Sequence, residues 1–137
     1  MAGERDVVRV GSSGVIENEE GKILMALRGA EPAGIWVFPG GGVNFGETAA
    51  EAFVREVREE TGFDIEEPRF VVVFELIKEQ KGLHRVIFFH KAKLAGGEMN
   101  PGDDVSELRW MDVAEIMEQK NLGEVVIPVL KLAGYLK

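Results

Sequence analysis

Apolar positions along this chain change their period several times, and each change marks an element. Val7 to Glu17 and Lys22 to Leu27 are rich in β-branched and aliphatic residues and flank Asn18-Glu-Glu-Gly21. A glycine there takes a positive φ at no steric cost, so the pattern predicts two strands joined by a hairpin-type turn. Ile35-Trp-Val-Phe38 predicts a short strand, stopped by Pro39 and the glycine turn at positions 40–42. From Thr48 the spacing becomes helical: at about 100° per residue, Ala50, Phe53, Val54 and Val57 line one apolar stripe. Thr48-Ala-Ala-Glu51 has the form of a capping box, which starts the helix close to Thr48. Pro68 opens the run Phe70 to Ile77, where successive residues are nearly all apolar, and this predicts a strand buried on both faces. Gln80-Lys-Gly82 turns the chain into a second long strand, His84 to Leu94, which Ala95-Gly-Gly97 ends. After the loop 99–104, Glu107-Leu-Arg-Trp110 reads as a last strand and Asp112-Val-Ala-Glu115 as a second capping box. Ile127 to Leu136 is apolar at helical spacing, with Pro128 in the first turn, where it is tolerated.

Strands before and after a central helix, with a further helix at the end, predict an α/β fold: a mixed β-sheet packed between helices. No linker, repeat or low-complexity stretch interrupts the 137 residues, so a single domain over 1–137 is expected. Apolar residues make up 45% and charged residues 29%, which argues against a disordered or a membrane-embedded chain. No apolar run approaches the roughly 18 residues a spanning helix needs, and Met1 to Asp6 contain no apolar leader segment, so the expected location is cytoplasmic. The net charge of −8 disfavours nucleic acid and anionic membranes as partners. With no cysteine, the chain has no disulfide, thiolate zinc site or thiol nucleophile.

The charge pattern on the central helix adds chemistry to this picture. Glu56, Glu59 and Glu60 fall beside the apolar stripe within about 100° of one another, since positions i, i+3 and i+4 are neighbours on a helix. Ala49 and Ala52 point toward the same face, and their small size leaves room above it. On periodicity alone this is a solvated face, and Glu51, Arg55 and Glu59 have the spacing of ordinary ion pairs worth about 0.2–0.5 kcal/mol each. What changes the balance is the joint occurrence of the glycine turn, Glu47 and the Arg-Glu-x-x-Glu-Glu run at these spacings. Clustered carboxylates repel, and divalent cations are their natural compensation. Mg²⁺ in particular prefers oxygen ligands, keeps waters and bridges to phosphates.

Gly41 to Phe63 reads Gly-x5-Glu-x7-Arg-Glu-U-x-Glu-Glu-x-Gly-U, where U is bulky and aliphatic; every fixed position is filled and only the last U departs, being Phe63. The segment resembles the signature of the Nudix hydrolases. That resemblance implies a Nudix-type α/β/α sandwich and hydrolysis of a nucleoside diphosphate linked to another group, by water attack at phosphorus, with Mg²⁺ or Mn²⁺. By position, Glu56, Glu59 and Glu60 match the family's metal-binding glutamates, and Gly40 would offer a backbone carbonyl to the metal. Glu47 and Arg55 would brace the turn, and Gly41 and Gly62 would serve backbone geometry. Family members take the general base from the helix, here Glu56 or Glu59, or from a downstream loop, here Asp103, Asp104 or Glu107, of which Asp104 ranks first. Trp36 and Phe38 are candidates for stacking on a base but have the ordinary pattern of core residues, and His84 and His90 read as structural. No substrate-binding residue is assigned.

The implied partner is a small nucleotide, and the family's habits make a homodimer an expectation. The single tyrosine, Tyr135, lies near the end, and no proline stands where the ADP-ribose subgroup carries one. Asn44 also replaces a common glutamate of the turn. These marks put a nucleoside triphosphate or a nucleotide sugar ahead of ADP-ribose. A non-catalytic nucleotide-binding module is the rival reading, and the intact glutamates stand against it.

Overall fold

The computed structural model describes residues 7–137. Its elements, in chain order, are β1 (Arg9–Glu17), β2 (Ile23–Arg28), β3 (Trp36–Val37), β4 (Gly40–Gly42), α1 (Ala49–Thr61), β5 (Phe63–Lys78), β6 (Leu83–Gly97), β7 (Val105–Met111), α2 (Val113–Glu118) and α3 (Val126–Leu132). The strands form one sheet in the order β3-β2-β1-β6-β5, with β4 also pairing with β1 and β7 with β2. β1 and β6 run parallel from Arg9 beside Arg85 to Glu17 beside Lys93, while the other pairs are antiparallel. The sheet is mixed, as expected.

Alternation along the strands builds two cores from consecutive residues, because successive side chains point to opposite faces. Val15, Ile23, Met25, Phe89 and Met111 meet Ile116 of α2 and Val126, Val129 and Leu130 of α3 on one face. Ile16, Leu24 and Ala26, their neighbours in the chain, and Ala92 and Leu108, three positions from Phe89 and Met111, meet Phe53 and Val57 of α1 on the other. Helices thus cover both faces, which gives the α/β/α sandwich. Among the described residues, no helix is long and apolar enough to cross a membrane.

Several boundaries differ from those the pattern predicts. β1 begins at Arg9, two residues late, and Val7 is exposed outside it. Glycines 40–42 form a strand rather than a turn: Gly40, Gly41 and Gly42 pair with Ser13, Ser12 and Gly11 of β1. Side chains are what usually announce a strand, and three glycines carry none. β5 starts at Phe63, directly after the helix, and its outer half is not buried on both faces, since Phe70 is 60% and Ile77 50% exposed. Here Val72 and Phe74 pack into the α2–α3 core, but α1 does not reach far enough to cover the opposite face. β6 runs on through Gly97 instead of stopping at Leu94. The last helix is shorter than the apolar run and begins one residue earlier, at Val126. Ala52, expected over the carboxylates, is fully buried against the sheet.

Candidate functional site

The helix that carries the glutamates is closed at both ends by its own sequence. Thr48 accepts from the Glu51 amide and the Glu51 carboxylate accepts from the Thr48 amide, so the capping box forms as predicted. At the far end Gly62 adopts φ 79° and its amide bonds the Arg58 carbonyl, ending the helix in a left-handed turn. A side chain at 62 would also run into the Glu98 carbonyl. That close approach docks the loop 98–104 on the end of α1, where the amides of Asn100 and Gly102 bond the carbonyls of Thr61 and Glu60.

The glycine strand lies against the side of α1. A Cβ at Gly41 would collide with the Glu56 carboxylate, so the absent side chain is what admits that glutamate. The Gly40 amide donates to Glu60 Oε2 at 3.4 Å. Arg55 is the hub of the cluster. Its Nε and Nη2 grip Glu47 at 2.7 and 2.9 Å, Nη1 meets Glu56 at 2.8 Å and Glu59 at 3.2 Å, and Nη2 also donates to the Gly42 carbonyl. The two-pronged grip and the Asn44 amide hold the Glu47 carboxyl below its usual range, while Glu47 and Glu56 keep the guanidinium protonated. Arg55 and Glu47 therefore fasten the 42–47 loop to the helix.

Glu60 is the electrostatic outlier. Burial is the main cause that pushes its carboxyl up to about 7, and the charges of Glu56 and Asp104 add to it; the Gly40 amide and Arg28 act in the opposite sense. Asp104 is thereby brought to the same cluster, carried by the loop docked on α1 and by its own carbonyl, which accepts from the Gly29 amide at 2.9 Å. Asp103 and Glu107 do not act on Glu60 in the same way, and Glu107 forms an ion pair with Arg109 at 2.6 Å. Among the described residues, no three Asp, Glu or His side chains converge closely enough, as they stand, to hold a metal ion. Glu56 and Glu59 are instead turned onto Arg55.

The donor chemistry nonetheless fits a hard divalent cation. The carboxylates that act on Glu60, those of Glu56 and Asp104, offer oxygen donors, and a carboxyl pushed up first by burial and then by two like charges would be relieved by a cation. Glu60 meets the Gly40 amide, Glu56 and Asp104 act on it through their charge, and Glu59 is joined to Glu56 through Arg55.

Some residues near the site had no signal in the sequence. Arg28, at the end of β2, is close enough to stabilise the Glu60 carboxylate, and its guanidinium is steered by the Glu31 and Pro32 carbonyls. An arginine at a strand end is too common to single out. Ser12 and Ser13 read only as strand positions, yet both bond the segment around the glycines. Trp36 and Phe38 are core residues, and the Arg109 guanidinium lies 5.1 Å over the Trp36 ring. His90 is buried and stacked on Phe53, whereas His84 stays half-exposed, 3.6 Å from Glu75.

Comparison with known proteins places these features in one family. The NUDIX domain model matches residues 7–132. The ADP-ribose pyrophosphatase of Methanocaldococcus jannaschii is 34% identical over 105 residues, covering 76% of this chain and 62% of that protein. A Bacillus subtilis protein named provisionally as an 8-oxo-dGTP diphosphatase is 36% identical over 98 residues, covering 71% of this chain and 62% of its own length. The chain therefore spans under two thirds of either relative. Among solved structures, the MutT NUDIX hydrolase of Burkholderia pseudomallei superimposes with a TM-score of 0.81 at 29% identity, over 92% of this chain and 98% of that one.

Proposed function

The chain belongs to the NUDIX domain family, and on that premise we propose that it is a divalent-metal-dependent pyrophosphohydrolase, cleaving the diphosphate linkage of a nucleoside diphosphate derivative by water attack at phosphorus. The observation that carries this reading is the meeting of Glu56 and Glu60 with Gly41 and Gly40 of β4, where a missing Cβ admits the first carboxylate and an amide meets the second. Glu56, Glu59, Glu60 and the Gly40 carbonyl are the groups that would hold the metal. A bound Mg²⁺ or Mn²⁺ supplies neutralisation of the diphosphate charge and a lowered pKa for the attacking water. Asp104 is the proton acceptor in this reading, because it alone of the downstream carboxylates is charge-coupled to Glu60. Glu59, mostly exposed and next to Arg55, is the second candidate. Arg55 and Glu47 keep the loop ahead of the helix in one conformation, and Arg28 offers a cation to a phosphate that approaches Glu60.

For the substrate, a nucleoside triphosphate or a nucleotide sugar remains the leading assignment on the sequence marks. ADP-ribose is the second reading, favoured by the name of the Methanocaldococcus relative. A panel of nucleoside triphosphates, nucleotide sugars, ADP-ribose and dinucleoside polyphosphates, incubated with Mg²⁺ or Mn²⁺ and followed by chromatography of the products, tests both levels at once. Hydrolysis of one class names the substrate. Turnover of none with either metal would leave a nucleotide-binding module as the surviving alternative.

A further inference from the structure

The proposed site is split between two elements that share no covalent rigidity: carboxylates on α1 and the peptide of Gly40 on β4. What fixes their separation is β1. Its consecutive serines point to opposite faces of the sheet. On the α1 face, Ser12, almost fully buried, donates from Oγ to the Ala49 carbonyl in the first turn of the helix at 2.6 Å. On the other, Ser13 donates from Oγ to the Pro39 carbonyl at 2.7 Å, one residue before Gly40.

The two bonds hold the segment 39–49 at its two ends. Between them, the backbone of β4 is paired with the same two serines, and a Cβ at Gly40 would collide with the Ser12 carbonyl and with Ser13. His90, from the parallel neighbour β6, completes the arrangement: its Nδ1 lies 3.4 Å from both Ser12 Oγ and the Ser13 carbonyl. Because the Ser12 hydroxyl is committed to Ala49, Nδ1 carries the proton and donates to these oxygens. Its ring lies 5.3 Å from that of Phe53 and nearly parallel to it, so the helix is braced from the side as well.

We propose that Ser12 and Ser13 are positioning residues that set the spacing between the Gly40 peptide and the α1 carboxylates, and through it the affinity for the divalent cation. This rests on the metal-site reading given above. Each serine acts through a carbonyl that anchors one end of the loop. Outer groups that orient metal ligands typically matter by 10–100-fold in affinity.

The test is Mn²⁺ binding without substrate, measured by the electron paramagnetic resonance signal of free Mn²⁺, for the wild-type protein, Ser13→Ala and Ser12→Ala, with a thermal melt of each. The expected result is Mn²⁺ affinity about tenfold weaker in each variant that keeps a cooperative melt. Ser13→Ala is the milder change, because its hydroxyl lies outside the Phe53–His90 stack, and it suffices if Ser12→Ala fails to fold. A lowered melting temperature with unchanged Mn²⁺ affinity would overturn the inference and leave the serines as ordinary structural bonds. Absence of Mn²⁺ uptake by the wild-type protein would overturn the metal reading itself, which is a different outcome.

Discussion

Around β4 and the start of α1, Ser12, Ser13, Arg55 and Glu60 bond one element to another, whereas the outer half of the β5–β6 hairpin presents apolar side chains to water. Phe53 and Phe70 show the contrast in one residue type. Phe53 is fully buried between the sheet and α1, while Phe70, which touches Phe88 and His90, remains mostly exposed. Both sit in apolar stretches of sequence. What differs is whether another element lies above, and no local pattern carries that information.

Substitution separates the two regions most sharply. Phe53→Ala should cost about 3–5 kcal/mol, the range for deleting a buried aromatic ring, and Phe70→Ala less than about 1 kcal/mol, because little of the ring is out of water. Urea unfolding of the two variants checks this, and equal losses would erase the distinction. Next in size is Glu60→Gln, which keeps shape and removes charge and ligation. Turnover with Mg²⁺ should fall by more than about 100-fold, beyond the loss expected for residues one step removed from a metal, while the circular dichroism spectrum is retained. Undiminished hydrolysis would remove Glu60 from the site.

Gly62→Ala should then cost about 1–3 kcal/mol, since alanine resists φ 79° and its Cβ meets the Glu98 carbonyl. The loop 98–104 should loosen with it, seen as faster amide exchange at Asn100 and Gly102. The smallest effect concerns His90. Burial, partly countered by the Ser13 carbonyl, holds its imidazole below the ordinary value of 6.5. As pH falls the unfolded chain therefore takes up the proton first, so this contribution is complete above about 6.5 and is lost below it. The melting temperature of the wild-type protein should drop between about pH 7.5 and 5.5 by more than that of His90→Gln. Parallel curves would show that His90 does not titrate on unfolding.

These regions also mark where the sequence could be read. Thr48, Glu51 and Gly62 act on backbone groups within a few residues, so capping box and helix end are visible in the chain itself. The run Gly41 to Phe63 is legible for the same reason, because its spacings are set by one loop and one helix. Gly40 to Gly42 read as a turn in the sequence, since the strand they form is defined by Ser12 and Ser13, 27 residues or more upstream. Ala52 reads from helical spacing as lying over the carboxylates, whereas the structure buries it completely. On the sequence, Asp104 stands ahead of Asp103 and Glu107 by the resemblance alone. Its approach to Glu60 depends on a loop held by Gly29 and by the carbonyls at the end of α1. Arg28, Ser12 and Ser13 matter through neighbours distant in the chain, and single residues of common types give no warning of that.

The parallel register of β1 with β6 has a consequence for the order in which the molecule can be built. β1 supplies the floor under the glycine strand, and one whole side of it is paired with residues 85–93. Contacts of such wide sequence separation form late and slow a fold, because the intervening chain must first be brought together. A nascent chain that has emerged only as far as Phe63 contains the complete Gly41–Phe63 motif with both helix caps, yet the strand beneath it lacks its lateral partner. Assembly of the candidate centre is therefore tied to synthesis of the second half of the protein, some thirty residues beyond the last residue of the motif.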